Sequence, residues 1–135
     1  MKIRDLQIDD EYFTVNHNET VLELARKITE TGIPDAVVLK ENKPVGVVDD
    51  FDIVSKCVAE NKDPANTSVE EIMHAPPFVT PDHDLKRLEQ IFEEMDPSIV
   101  PVVDDHQNLL GVATLFDLLS VQQPKKKKLF NFGGK

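Results

Sequence analysis

One seven-residue stretch occurs twice, and that duplication constrains the fold more than any other feature of the chain. It reads Gly46-Val47-Val48-Asp49-Asp50-Phe51-Asp52 and returns as Gly111-Val112-Ala113-Thr114-Leu115-Phe116-Asp117, a spacing of 65 residues in a chain of 135. The correspondence extends upstream, where Val37-Val38 answers Val102-Val103, and downstream, where Ile53-Val54-Ser55 answers Leu118-Leu119-Ser120. Self-similarity at a fixed period means that one supersecondary unit was duplicated. A unit of about 60 residues is marginal alone, so the two copies are expected to share a core.

The first unit is expected over residues 1–60, a linker over 61–67, the second unit over 68–123, and a basic flexible tail over 124–135. In the first unit Phe13-Thr14-Val15 is strand-like, and Asn18, Glu19 and Thr20 precede a helix from Val21 to Glu30 whose apolar face is Val21, Leu24, Ala25 and Ile28. Gly32 ends that helix and Pro34 blocks its return. Strands follow at Ala36–Leu39 and Pro44–Val48, then a helix from Asp50 to Glu60. The second unit repeats the order: Ser68 caps a turn, Phe78-Val79 is a strand, Asp84–Met95 a helix, Ile99–Val103 and Leu109–Ala113 strands, and Thr114–Gln122 the last helix. Each half is thus β-α-β-β-α, and the fold class is α/β built from two related units.

The repeated stretch sets a strand end against a helix start. The first backbone N–H groups of a helix lack internal partners and can donate to a ligand. Thr114 adds a hydroxyl there, and Asp117 lies one turn on, where its carboxylate can accept from the two hydroxyls of a ribose. The plainer reading is a capping box, with Thr114 as N-cap and Asp117 standing in for the usual Glu. The first copy carries Asp49 in place of the hydroxyl residue, so Asp49, Asp50 and Asp52 crowd three carboxylates at one helix start. Those charges oppose a phosphate and favour a ligand with a cationic group, unless Mg²⁺ bridges.

The order of elements, the run Ile99-Val100-Pro101-Val102-Val103-Asp104 and the Gly-x-x-Thr-x-x-Asp element of Gly111, Thr114 and Asp117 resemble a cystathionine β-synthase (CBS) domain, present twice as a tandem pair over residues 1–123. The resemblance implies two repeats packed sheet to sheet with pseudo-twofold symmetry, leaving two clefts for adenosyl compounds: AMP, ADP, ATP or S-adenosylmethionine. It implies one cleft built from Thr114 and Asp117 with Gly32, Ile33 and Pro34, which is preferred because both polar residues are present. It implies a second cleft from Asp52 and Asp49 with Ser98 and Ile99. It further implies a regulatory module rather than an enzyme, with no required cofactor, a homodimer with apolar helix surface including Leu118 and Val121 at its interface, and output through an effector protein. The alternative is a dimeric interaction module whose clefts no longer take ligand.

Composition narrows the remaining classes. The single Cys57 allows no internal disulfide and suits a reducing compartment, and no apolar run reaches the roughly 20 residues of a membrane helix, so a cytoplasmic location is expected. Five of the 15 basic residues lie in 124–135, leaving 10 basic and 25 acidic side chains elsewhere, a body unsuited to general nucleic-acid binding. Only the Lys125–Lys128 run offers a contact with nucleic acid or an anionic surface. His17, His74, His83 and His106 are not spaced as metal pairs, no metal site is expected, and no nucleophile elbow or phosphate-binding glycine loop is present.

Overall fold

A computed structural model of the chain describes residues 1–122. The basic tail and its Lys125–Lys128 run lie outside the described residues. The elements are β1 (Phe13–Asn16), α1 (Val21–Thr31), β2 (Asp35–Lys40), β3 (Lys43–Asp49), α2 (Asp50–Ile53), α3 (Val69–Ile72), α4 (Leu85–Met95), β4 (Val100–Val103), β5 (Leu109–Ala113) and α5 (Leu115–Val121). In the first sheet β1 runs parallel to β2, and β2 pairs antiparallel with β3. In the second, β4 and β5 are antiparallel.

Two elements depart from the sequence expectation. The strand at Phe78-Val79 shrinks to a single parallel bridge between Val79 and Val102. Pro76 and Pro77 before it and Pro81 after it lack the N–H groups a longer ladder needs. The helix expected from Asp50 to Glu60 is α-helical only to Ile53 and continues as a wider π turn over Val54–Val58, closed by the Ala59 N–H donating to the Val54 carbonyl. The apolar spacing of Ile53, Val54, Cys57 and Val58 cannot separate the two geometries over so few residues.

Three apolar clusters hold the molecule together. Val15, Val21, Leu24, Val38, Val48 and Cys57 form the core of the first half, and Val79, Leu85, Leu88, Phe92, Val100 and Leu118 that of the second. Val37, Val47, Ile99 and Val112 form the third, which joins the two sheets face to face. A fully buried Val or Leu of this kind contributes about 1.5–3 kcal/mol relative to exposure, so the inter-sheet cluster holds the halves as one body.

The entry segments cross between the halves. Ile3 and Leu6 pack into the second-half core, where the Ile3 N–H donates to the His83 carbonyl at 3.0 Å. Val69 and Ile72 of α3 pack into the first-half core, and the Val69 N–H donates to Glu19 at 2.8 Å. Each crossing carries the residues behind it over the other half's strand-to-helix corner, and this positions the two sites.

Candidate functional site

Each corner is built by the same local chemistry. Asp49 caps α2: its Oδ1 accepts from the Asp52 N–H at 2.8 Å, while the Asp49 N–H donates to Asp52 Oδ2 at 3.0 Å. Thr114 caps α5 likewise: its Oγ1 accepts from the Asp117 N–H at 3.2 Å, and its N–H donates to Asp117 Oδ2 at 2.9 Å. Both are reciprocal capping boxes. In each the second Asp is buried, 4% exposed at Asp52 and 7% at Asp117. A buried carboxylate is costly unless hydrogen-bonded, and its surroundings decide its charge.

Those surroundings differ between the two corners. At the first, the crossing through α3 delivers His74. Its backbone pairs with Val47, and its Nδ1 lies 2.9 Å from Asp52 Oδ2. Lys56, four residues on, places Nζ 3.1 Å from Asp52 Oδ1. Burial pushes the Asp52 carboxyl up, but the hydrogen bonds from His74, the Asp49 N–H and Lys56, with the His74 charge, hold it below the usual carboxylate value. Its hydrogen bond to Asp52, with the nearby charges of Asp52 and Asp49, raises His74 against the opposing effect of burial. The local backbone is tight, since a Cβ on Gly46 would lie 2.9 Å from the His74 carbonyl.

At the second corner the crossing delivers an acid. Ile8 lies over Gly111, whose Cβ position is 3.3 Å from Ile8 Cδ1, and Asp10 reaches Asp117. Contact with the Asp117 carboxyl, then burial, then the charges of Asp117 and Asp9, push Asp10 up to about 7. Asp10 Oδ2 is buried without a hydrogen-bond partner among the described residues.

At the first corner Ser98 Oγ donates to Asp49 Oδ2 at 2.9 Å, across the two repeats. Asp49, Asp52 and Ser98 line a cavity of ≈ 370 Å³ that also takes in Phe51, His74 and Pro97. Ile99 instead belongs to the inter-sheet cluster. Asp35, paired with Asp49 in the sheet, is raised by burial and by the Asp49 and Asp50 charges, against a hydrogen bond from Ser98. Gly32 closes α1 in the left-handed conformation, Ile33 is half-buried and Pro34 is exposed. None of the hydrogen bonds among the described residues joins these three to Thr114 or Asp117.

His74, Lys56 and Asp10 were not singled out as site residues from the sequence. Lys56 was readable as an i,i+4 partner of Asp52. His74 and Asp10 follow the two entry segments, Val69–Met73 and Ile3–Gln7, which correspond in sequence, and continuing that register leads both times over the repeated stretch. One ligand atom each from Asp49, Asp52 and His74 lies within 4.8 Å of the others, a grouping that the histidine spacings did not disclose. Their atoms already satisfy one another, Ser98 and Lys56. Among the described residues no helix is long and apolar enough to cross a membrane.

Comparison with known proteins places this arrangement. The CBS domain model matches residues 3–59 and again 69–123. An uncharacterized protein of Methanopyrus kandleri is 33% identical over 112 residues, covering 81% of this chain and 57% of its own length. The chain spans about half the length of the curated relatives it matches. The CBS domain pair of protein MJ0100, solved in complex with 5′-methylthioadenosine and S-adenosyl-L-methionine, is similar with a TM-score of 0.72 and 25% identity over 93% of this chain and 98% of that one. A hexameric CBS-CP12 protein from bloom-forming cyanobacteria gives a TM-score of 0.73 and 26% identity over 93% of this chain and 72% of that one. With a buried Asp behind a capping box in each of two matched repeats, the chain belongs to the CBS domain family, as a tandem CBS domain pair.

Proposed function

We propose that this CBS pair is a regulatory, non-catalytic module that binds an adenosyl ligand and acts through an effector protein or through self-association. The observation that carries this reading is the ≈ 370 Å³ cavity at the first corner, where Ser98 donates to Asp49 across the repeat boundary beside the buried Asp52. In the proposed complex the ribose hydroxyls donate to the carboxylate of Asp52, and Phe51, Met95 and Pro97 supply apolar surface for the adenine ring. His74 and Lys56 offset Asp52, which makes the three-carboxylate start of α2 less hostile to phosphate than its composition alone. No metal is required, and Mg²⁺ would enter only with a phosphate chain. S-adenosylmethionine, with its cationic centre, suits the residual charge of Asp49 and Asp50, and the ligated MJ0100 pair supports that class. The Thr114–Asp117 corner, with Gly32, Ile33 and Pro34, is the second proposed site.

Calorimetric titration with AMP, ATP with and without Mg²⁺, and S-adenosylmethionine tests this reading. Saturable binding is expected. It should weaken about 10- to 100-fold in Asp52→Ala, the worth of hydrogen bonds to one charged group. Binding unaffected by both Asp52→Ala and Asp117→Ala would refute the site assignment. A second reading, an interaction module with degenerate clefts, has its own support. Phe51 and Phe116 occupy matched positions at 69% and 77% exposure, with Val54 and Leu119 also exposed, and apolar surface repeated in both units suits self-association. Silence from every ligand, with a stable dimer in sedimentation, would favour it.

A further inference from the structure

We propose that Asp49, Asp52 and His74 bind a single divalent cation of the zinc class, at the point where the α3 crossing meets the first corner. One ligand atom from each of the three lies within 4.8 Å of the others. His74 Nδ1 and Asp52 Oδ2 are 2.9 Å apart. Donor atoms held at about 2.0–2.1 Å from zinc in a tetrahedral site stand about 3.4 Å from one another, so small side-chain rotations let the three share an ion. The donors come from two segments, and backbone contacts set both. The capping box fixes Asp49 against Asp52. His74 is held by a two-way bridge, in which the Val47 N–H donates to the His74 carbonyl at 2.8 Å and the His74 N–H to the Val47 carbonyl at 3.0 Å. All three side chains line the ≈ 370 Å³ cavity, which has room for water to complete the coordination.

The donor set selects the metal. An imidazole nitrogen beside two carboxylates suits Zn²⁺, Co²⁺ or Ni²⁺, whereas Mg²⁺ and Ca²⁺ take oxygen ligands. The hydrogen bonds already present are compatible with the ion. A carboxylate oxygen has more than one lone pair, so Asp49 Oδ2 can keep its bond from Ser98 Oγ and still ligate. Between Asp52 and His74 the ion takes the place of the Nδ1 proton, which leaves to solvent, while Nε2 carries the ring's remaining proton. Lys56 Nζ, 3.1 Å from Asp52 Oδ1, opposes the ion, but its side chain is 43% exposed and can turn out to water. This ion needs no nucleotide, unlike Mg²⁺ carried in on a phosphate chain. It also regulates the cleft: an Asp52 carboxylate bound to metal no longer accepts from a ribose, so metal and adenosyl ligand exclude one another. The exclusion, though not the metal site, rests on the adenosyl reading of the cavity.

The test titrates ZnCl₂ into the full chain near neutral pH with no nucleotide present. Affinity is read by calorimetry and the His74 ring by long-range ¹H–¹⁵N NMR, which separates this site from any other histidine. The His74 Nδ1 resonance is expected to move from its protonated to its metal-bound position, and MgCl₂ to leave it in place. His74→Gln, whose amide N–H still donates to Asp52 and keeps the corner folded, should weaken zinc binding at least about 10-fold, the loss that even an outer partner of a metal brings. Asp49→Asn, which remains a good N-cap, should do likewise. Lys56→Met should bind about threefold tighter, the scale of one partly screened charge, and His17→Gln should bind as wild type. Zinc that leaves the His74 ring resonances unmoved, or affinity unchanged in both His74→Gln and Asp49→Asn, would overturn the site. 5′-Methylthioadenosine, which carries the ribose diol without a phosphate, is then titrated with and without zinc. Weaker binding in zinc supports the exclusion, and equal binding with His74 metal-bound would overturn it. If zinc moves His74 as expected and the nucleoside binds in neither case, the metal site stands and the adenosyl reading of the cavity falls.

Discussion

The two strand-to-helix corners share a capping box, a buried Asp and a crossing segment, yet they hold their carboxylates in opposite ways. Asp52 is surrounded by His74 and Lys56 and is held in its charged form. Asp117 faces Asp10, whose own carboxyl is pushed up to about 7 by that contact, by burial and by the neighbouring acids. Duplication thus preserved the backbone device and let the delivered side chain diverge, one cleft receiving a cation and the other an acid. The motif residue sets where the carboxylate lies, and the residue arriving from the other repeat's entry segment sets its charge.

The largest expected effect comes from the paired glycines, which tell whether the crossings are equally rigid. A Cβ at Gly46 would meet Met73 Sδ at 2.8 Å and the His74 carbonyl at 2.9 Å, and the second of these is backbone that cannot swing away. A Cβ at Gly111 meets only the tip of the Ile8 side chain at 3.3 Å. Gly46→Ala is expected to cost about 1–3 kcal/mol as an overpacking change, and Gly111→Ala less than about 1 kcal/mol. Urea denaturation of the two variants beside wild type checks this; equal costs would mean that both segments are held alike.

His74→Ala tests the electrostatic half of the contrast. It leaves the buried Asp52 with Lys56 and one N–H, at a cost of about 1–2 kcal/mol once partial solvent screening of the imidazole is allowed for. The sign with pH follows from the two shifts. Asp52 is depressed, so its contribution is present above the ordinary Asp value of 3.8 and is lost as pH falls through its folded value. His74 is raised, so its contribution is complete below 6.5 and is lost as pH rises through its folded value. The gap between wild type and His74→Ala should be widest between about pH 4 and 6.5 and narrow on either side. Asp10 acts in the opposite sense. The folded state keeps a proton that the unfolded chain releases above 3.8, so this group's contribution falls as pH rises from there to about 7. Thermal melts across pH of wild type, His74→Ala and Asp10→Ala separate the corners, and a gap independent of pH would remove the charge pairing at Asp52.

Much of the scaffold was legible because its signals are local. Thr20 caps α1 and Gly32 closes it at φ 72, as their positions around the Val21, Leu24 and Ile28 stripe implied. The strand over Leu109–Ala113 was bounded correctly by the turn before it and the cap after it. The strand expected at Phe78-Val79 is cut to a single bridge by the flanking prolines, which lack the N–H donors a longer ladder needs. At the site, Asp49 and Asp52 were legible from a spacing of three. The Asp52–His74 contact joins positions 22 apart, and the Asp10–Asp117 contact joins opposite ends of the chain. Both depend on entry segments exchanging cores, which hydrophobic periodicity within a single segment does not encode.

The smallest change sharpens the comparison most, because it makes the first corner resemble the second at its cap. Asp49→Thr keeps an oxygen able to accept from the Asp52 N–H, so the cap survives with a loss of a few tenths of a kcal/mol. It removes the acceptor of Ser98 Oγ and one of the charges that raise His74. The His74 pKa should therefore fall towards its ordinary value without reaching it, since the hydrogen bond to Asp52 is the larger cause and remains. NMR titration of the imidazole measures that movement. Removal of one negative charge from the cavity should also strengthen AMP binding about two- to fivefold relative to S-adenosylmethionine, the scale of one partly screened charge interaction. If His74 does not move, Asp49 acts only as a helix cap, and the difference between the corners rests on the delivered residues alone. If His74 moves and the AMP preference follows, the cap residue tunes ligand charge as well, and the substitution of Asp49 for a hydroxyl residue is part of how the first cleft selects what it holds.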